Sequence, residues 1–140
     1  MHTEQRRRLD GNWRMWIADN ERIDRECTEP TSAAMIEGCG YTELEARVPG
    51  NFELDMQRAG MIEEPFNGLN VLDMQDLENK HIWYATVFQF HGNEDEAWLL
   101  FEGIDTFADI YLNGTHLAAT DNMLIPHEIK AVGIQQGDNE

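Results

Sequence analysis

The sequence predicts an all-β fold, an antiparallel β-sandwich with one or two short helices. Residues 81–120 contain several apolar runs with the alternation of strands, and their number and spacing are typical of two packed sheets. Asn113-Gly114 separates two of these runs, and this dipeptide readily adopts the positive φ angles of a two-residue hairpin turn. At 140 residues and 41% hydrophobic, the chain has the size of one domain with a buried core.

The first part of the chain predicts one strand and a long connection. The run 9–17 places alternate apolar residues on one face, as in a half-buried strand. These residues are Trp13, Met15 and Ile17. Residues 19–40 mix charges, Pro30 and glycines without clear periodicity, so we expect an irregular connection in which "TSAAMIEG" makes one or two helical turns.

A helix is predicted over residues 52–59. Pro49-Gly50 ends a short strand, Asn51 is suited to cap the helix, and Gly60 is suited to its exit. Phe52, Met56 and Ala59 then share one face. The loop chemistry of "EEPFNGLN" follows, and residues 71–80 are ambiguous between a short helix and coil.

The remaining elements are predicted to be strands. The run 81–90 alternates large side chains on both faces, which suits a strand between two packed layers. The segment "AWLLFEG" is apolar on both faces and therefore predicts a central strand. Residues 108–112 place Ala108, Ile110 and Leu112 on one face just before the hairpin turn.

Charge limits the partners of this chain. Lysine plus arginine number 10 against 27 aspartates plus glutamates, a net charge of -17. This balance disfavours nucleic acid and anionic membrane surfaces, so we expect a neutral or cationic partner. Most basic residues precede position 60, and Arg6 to Arg8 are best explained as part of a flexible, solvated tail over residues 1–8, ahead of a domain over 9–140.

Redox, metal and targeting signals are weak. Cys27 and Cys39 lack CxxC spacing, and a disulfide between them stays open. The five histidines have no ligand spacing, so we expect neither a metal nor a cofactor. No run of ~18 apolar residues and no apolar signal core is present, and we expect a cytoplasmic protein.

Five stretches together resemble a known family. They are "LDGNWRMW", "VPGNFELDMQRAGMIEEPFNGLN", "IWYATVFQF", "LLFEGIDTFADIYLNGTHLAATDNMLIPHEI" and the closing "GDNE". In this order and spacing they resemble the N-terminal sugar-binding domain of glycoside hydrolase family 2, from about Leu9 to the last residue. The segment from VPGN to PFNGLN is most similar to the β-mannosidase branch, although β-galactosidases and β-glucuronidases share much of the pattern.

The resemblance implies a galactose-binding-like jelly roll that precedes an immunoglobulin-like domain and a TIM barrel. The parent enzyme would be a retaining exo-glycosidase, which needs two carboxyl groups ~5 Å apart. The family's catalytic glutamates lie on the barrel, so this segment alone is expected to be noncatalytic. The acidic turn at Glu94, Asp95 and Glu96 is more simply a set of solvated charges.

Four residues are candidates for carbohydrate contact. In relatives, the counterpart of "PFNGLN" lies towards the active-site entrance, so the resemblance favours Asn67 and Asn70, with Phe66 as a packing platform. An asparagine amide both donates and accepts hydrogen bonds, as recognition of a sugar hydroxyl requires. The alternative is that both asparagines serve only the turn. Trp16 is the fourth candidate, because it is the tryptophan expected to be exposed and able to stack on a pyranose.

The resemblance also implies that the fold is truncated at its C-terminus. "GDNE" should lead into a further sandwich strand, and a missing strand would leave an unpaired sheet edge. We therefore expect a homo-oligomer in solution. A second functional hypothesis is a stand-alone carbohydrate-binding or protein-interaction module with the same jelly roll.

Overall fold

The chain folds mainly into short antiparallel strands, described over residues 5–26 and 29–140 of a computed structural model. The strands are β1 (Gly11–Asp19), β2 (Thr42–Val48), β3 (Lys80–Ala85), β4 (Phe88–Phe90), β5 (Trp98–Phe101), β6 (Ala108–Leu112), β7 (Thr115–Thr120), β8 (His127–Lys130) and β9 (Gly137–Asn139). The helices are α1 (Asn20–Glu26), α2 (Ala33–Gly38) and α3 (Phe52–Arg58), with 3₁₀ turns at Asn70–Asn79 and Glu94–Glu96. The predicted antiparallel β structure with short helices is confirmed.

The described residues form two compact units. The first comprises residues 5–26 and 40–86, and the second comprises residues 29–39 and 87–140. Within the described residues, none of the helices is long and apolar enough to cross a membrane. Cys39 is disulfide-bonded. Cys27 and the first four residues of the expected tail lie outside the described residues.

The first unit is built on a three-stranded sheet in the order β2-β1-β3. Because β1 is hydrogen-bonded on both edges, it runs through the middle of this unit, and four consecutive residues from Met15 to Ala18 are buried. The predicted face of Trp13, Met15 and Ile17 is confirmed, since all three belong to one apolar cluster. Ala46 of β2 and Met56 of α3 complete its buried part.

Helix α3 begins at the predicted residue, Phe52, and ends at Arg58, one residue before the predicted end. The Asn51 side-chain oxygen accepts a hydrogen bond from the Leu54 amide at 3.0 Å, and Gly60 follows the helix with a φ of +73°. Asp55 is buried on the inner side of this helix, where its carboxylate accepts a hydrogen bond from the Arg47 amide at 3.1 Å and pairs with Arg58. The hydrogen bond from the Arg47 amide to Asp55 therefore fixes the helix against the end of β2.

Replacing Asn51 tests the helix cap. We expect Asn51→Ala to lower the free energy of unfolding by about 1 kcal/mol, because the Leu54 amide loses its partner. Asn51→Asp keeps an acceptor oxygen and should cost much less. Urea denaturation of the three proteins measures the difference, and equal losses for the two variants would contradict the assignment of the cap.

The second unit contains three two-stranded pairings, β4-β9, β5-β8 and β6-β7. The hairpin between β6 and β7 is confirmed, with positive φ angles of +50° at Asn113 and +82° at Gly114. Leu112, just before the turn, is buried in an apolar cluster with Ala97, Ala131 and Ile134. The hairpin therefore contributes to the apolar core of this unit.

Asn113 also ties the hairpin to the last residues of the chain. Its side-chain amide donates to the Gly133 carbonyl at 2.9 Å and to Asn139 Oδ1 at 2.8 Å. Its side-chain oxygen accepts from the Glu140 amide at 2.9 Å, and its own amide donates to the Glu140 carbonyl at 2.9 Å. The sequence motifs LNG and GDNE are thus joined in one hydrogen-bond network.

Three expectations about the elements are wrong. Residues 20–26 form α1 inside what was expected to be an irregular connection, because a charged one-sided helix carries little apolar periodicity. The strand expected over 81–90 is interrupted at residues 86–87, giving β3 and β4. β5 is not a central strand, since among the described residues it pairs only with β8 and exposes Trp98. An apolar run does not by itself fix the number of neighbouring strands.

Candidate functional site

The loop 65–70 is closed by two successive turns of the backbone. The Asn67 amide donates to the Glu64 carbonyl at 3.2 Å, and the Asn70 amide donates to the Asn67 carbonyl at 3.3 Å. Gly68 lies between them with a φ of +62°, a conformation that favours glycine. These turns hold Phe66 and Asn67 on the surface of the first unit.

The two candidate asparagines have different surroundings. Asn70 is half-buried, and its side-chain amide donates to the Glu64 carbonyl at 3.0 Å, which closes the loop from inside. Gln57 of α3 donates to the Glu64 carboxylate at 2.6 Å and anchors the loop to the helix. The Asn67 side chain is exposed, and within the part of the chain that the structure describes it makes no hydrogen bond. Only Asn67 therefore has both its donor and its acceptor available to a ligand.

Phe66 lines a small pocket beside the loop. Its side chain is 84% exposed. The pocket has a volume of about 150 Å³, and its wall is completed by residues from α3, its cap and the following segment. These residues are Asn51, Glu53, Leu54, Pro65 and Met74. The sequence singled out Phe66 but missed the pocket, because its other walls come from residues as far as fifteen positions before Phe66 and eight positions after it.

Tyr84 on β3 lies within electrostatic reach of Glu53. Burial, together with the negative charge of Glu53, raises the pKa of the Tyr84 phenol to about 12. The Tyr84 hydroxyl is protonated at neutral pH, as a phenol with the ordinary pKa of about 10 also is, and has a proton to donate. A hydroxyl donor and a carboxylate acceptor thus lie in the same region of the first unit.

A wider, open depression of about 450 Å³ lies over β1 and β2. Arg14 and Glu43 in its wall form an ion pair at 2.8 Å, and this hydrogen bond lowers the pKa of Glu43. Since these two charged groups satisfy each other, the depression offers less to a neutral ligand than the Phe66 pocket does.

The exposure expected of Trp16 is wrong. Its side chain is only 1% exposed, with the Arg14 guanidinium 4.6 Å from its ring centroid. Trp98 is the exposed tryptophan, at 60%, with Lys130 Nζ 5.4 Å from its ring centroid. Because the Trp16 ring is covered in this way, it has no free face on which a sugar could stack. The alternation on β1 did place Trp13 and Trp16 on opposite faces, but in this fold both faces of the strand are covered.

A family model for the glycosyl hydrolase 2 galactose-binding domain-like family matches residues 20–140. The chain belongs to this family. The resemblance to glycoside hydrolase family 2 is therefore confirmed, and with it the galactose-binding-like fold class.

Known relatives of this glycoside hydrolase family 2 domain are β-mannosidases. The chain is 35% identical to β-mannosidase B of Thermothelomyces thermophilus over 95 residues, which are 66% of this chain and 11% of that protein. It is 31% identical to the β-mannosidase of Rattus norvegicus over 106 residues, which are 73% of this chain and 12% of that protein. A crystal structure of β-D-mannosidase from Dictyoglomus thermophilum matches with a TM-score of 0.68 and 33% identity, over 94% of this chain and 14% of that one. The family 2 domain thus spans about a tenth of the length of these relatives.

Proposed function

We propose that this domain supplies part of the sugar-binding wall of a β-mannosidase-like glycosidase. Family membership over residues 20–140 supports this proposal, together with the similarity to β-mannosidases. The single structural observation that carries it is the Asn67 side chain, which is exposed and has no hydrogen-bond partner among the described residues, on a loop held closed by other groups. The closed loop fixes the backbone at Asn67, so binding of a sugar hydroxyl has to order only the Asn67 side chain.

In this proposal the domain binds and orients the sugar, and other parts of the parent protein perform the chemistry. Retaining hydrolysis uses one carboxyl group as nucleophile and a second as acid and then base. Asn67 binds a hydroxyl of the terminal sugar. Contacts of this kind lower the activation free energy of hydrolysis because they position the reacting groups. Asn70 and Glu64 keep the loop in the shape that makes this contact.

The proposed substrate is a neutral sugar. Glu63 and Glu64 precede the loop, and Glu53 lies in the wall of the adjoining pocket. A uronic acid would bring a further negative charge next to these carboxylates, and like charges at short range oppose binding. The proposal therefore favours a mannoside or another neutral β-glycoside over a glucuronide.

The experiment is a substrate comparison with the complete product of the reading frame that encodes this chain. We expect kcat/KM for the aryl β-D-mannopyranoside to exceed the values for the corresponding galactoside and glucuronide. Hydrolysis of none of these substrates, or a preference for the glucuronide, would overturn the proposed function.

Replacing the two asparagines separates recognition from loop structure. We expect Asn67→Ala to lower kcat/KM about tenfold with an unchanged melting temperature, because one hydrogen bond to the sugar is lost. Asn70→Ala should instead lower the free energy of unfolding by about 1 kcal/mol, because the Glu64 carbonyl loses a donor. Steady-state kinetics and thermal denaturation of both variants provide the test. Unchanged kinetics in Asn67→Ala would contradict the assignment.

A further inference from the structure

We infer that the pocket beside Phe66 is a second carbohydrate subsite, which holds the neutral sugar ring next to the one contacted by Asn67. The choice of a sugar as ligand rests on the proposed function, whereas the pocket itself is a feature of the structure. Its volume of about 150 Å³ suits a single pyranose-sized ring and excludes a longer chain lying within it.

The aromatic wall of the pocket is Phe66. Phe66 is 84% exposed and lines the pocket, so its ring is accessible to a ligand bound there. Pyranoses have one apolar face of C–H groups, and aromatic side chains bind this face by stacking. Leu54, Pro65 and Met74 also line the pocket and add apolar surface for C–H groups of the sugar.

The polar groups of the pocket fit hydroxyls. The Asn51 side-chain oxygen is occupied by the helix cap, which leaves its amide to donate. The Glu53 carboxylate accepts hydrogen bonds and cannot donate them when ionised. Asn51 and Glu53 therefore supply a donor and an acceptor to the same pocket that Phe66 and Pro65 line.

The subsite also adjoins the first sugar contact. Phe66 and Asn67 are consecutive residues of the loop closed by Asn70. A ligand of two linked units can therefore place one unit against the Asn67 amide and the other against the Phe66 ring. A β-linked disaccharide has this form, so we expect the pocket to distinguish a disaccharide from a monosaccharide.

The test is a nuclear magnetic resonance titration of the ¹⁵N-labelled chain with β-1,4-mannobiose, with mannose as the comparison. We expect mannobiose to shift the backbone amides of Glu53, Leu54 and Phe66, and to bind more tightly than mannose. Phe66→Ala should raise the Kd for mannobiose about tenfold through loss of stacking. Glu53→Gln should raise it by a smaller factor, because the amide keeps one acceptor.

Phe107→Ala is the matched control. Phe107 is 86% exposed, as Phe66 is, but it lies in the second unit and away from the pocket residues in sequence. We expect this variant to bind mannobiose as the unchanged chain does. Equal Kd values for Phe66→Ala and Phe107→Ala, or the absence of shifts at Glu53, Leu54 and Phe66, would overturn the inference.

The outcome separates the two proposals. Binding at the pocket without hydrolysis of any mannoside by the complete gene product would support the subsite and overturn the proposed function. Mannoside hydrolysis without shifts at the pocket would support the function and overturn the subsite.

Discussion

Trp16→Ala is expected to lower the free energy of unfolding by about 3 to 5 kcal/mol. The side chain is 1% exposed in the middle strand of the β2-β1-β3 sheet, and its register partner on β3 is Trp83. Removing the indole therefore leaves a cavity, because the hydrogen-bonded strand β1 cannot shift to fill it. Urea denaturation monitored by circular dichroism measures this loss.

Trp98→Ala is the matched control, because it makes the same substitution at an exposed tryptophan. Its indole is 60% exposed on β5, so its removal creates little cavity, and we expect a loss of about 1 kcal/mol or less. Similar losses for the two variants would show that the burial assigned to Trp16 is wrong.

The second large effect is expected for Asn139→Ala, which should cost about 2 to 4 kcal/mol of unfolding free energy. The side chain is 2% exposed and makes four hydrogen bonds. Its oxygen accepts from the Gln135 amide at 2.9 Å and from the Asn113 side chain at 2.8 Å. Its amide donates to the Gln135 and Gly137 carbonyls at 2.8 and 2.9 Å. Alanine removes all four of these hydrogen bonds.

Asn139→Asp is the informative comparison for this network. The aspartate keeps the acceptor for Gln135 and Asn113 but loses the donor for the two carbonyls, and it brings a charge into a buried position. We expect it to be destabilised as well, with a loss that decreases when the pH is lowered and the carboxyl is protonated. An unfolding midpoint of Asn139→Ala equal to that of the wild type would contradict the contribution to stability that we assign to this network.

Local signals in the sequence were sufficient for some elements. The Asn51 cap of α3 and the Asn113-Gly114 hairpin depend on residues within a few positions of each other, and both are present as expected. The bond between Asn113 and Asn139 joins residues 26 positions apart, so no local pattern predicts it.

Burial of the tryptophans could not be predicted from alternation alone. Alternation separates the two faces of a strand, but it does not say which faces are covered. Trp16 lies on a strand with both faces covered. Trp98 lies on β5, which among the described residues pairs only with β8. The order of strands in a sheet is a property of the whole fold.

In the candidate site too, the sequence predicted local features but not those that depend on residues distant in the chain. The resemblance drew attention to the loop that contains Phe66, Asn67 and Asn70. It did not distinguish the two asparagines, because their difference depends on whether a side chain reaches the Glu64 carbonyl. The pocket beside Phe66 required the position of α3 relative to the loop, which is tertiary information.

The most direct test of the proposed role is a crystal structure of the complete gene product with a bound β-mannoside. We expect the Asn67 amide to lie within hydrogen-bonding distance of a hydroxyl of the terminal sugar, about 3 Å, with Phe66 beside the next ring. A sugar bound in the catalytic site with the loop 65–70 remote from it would contradict the account.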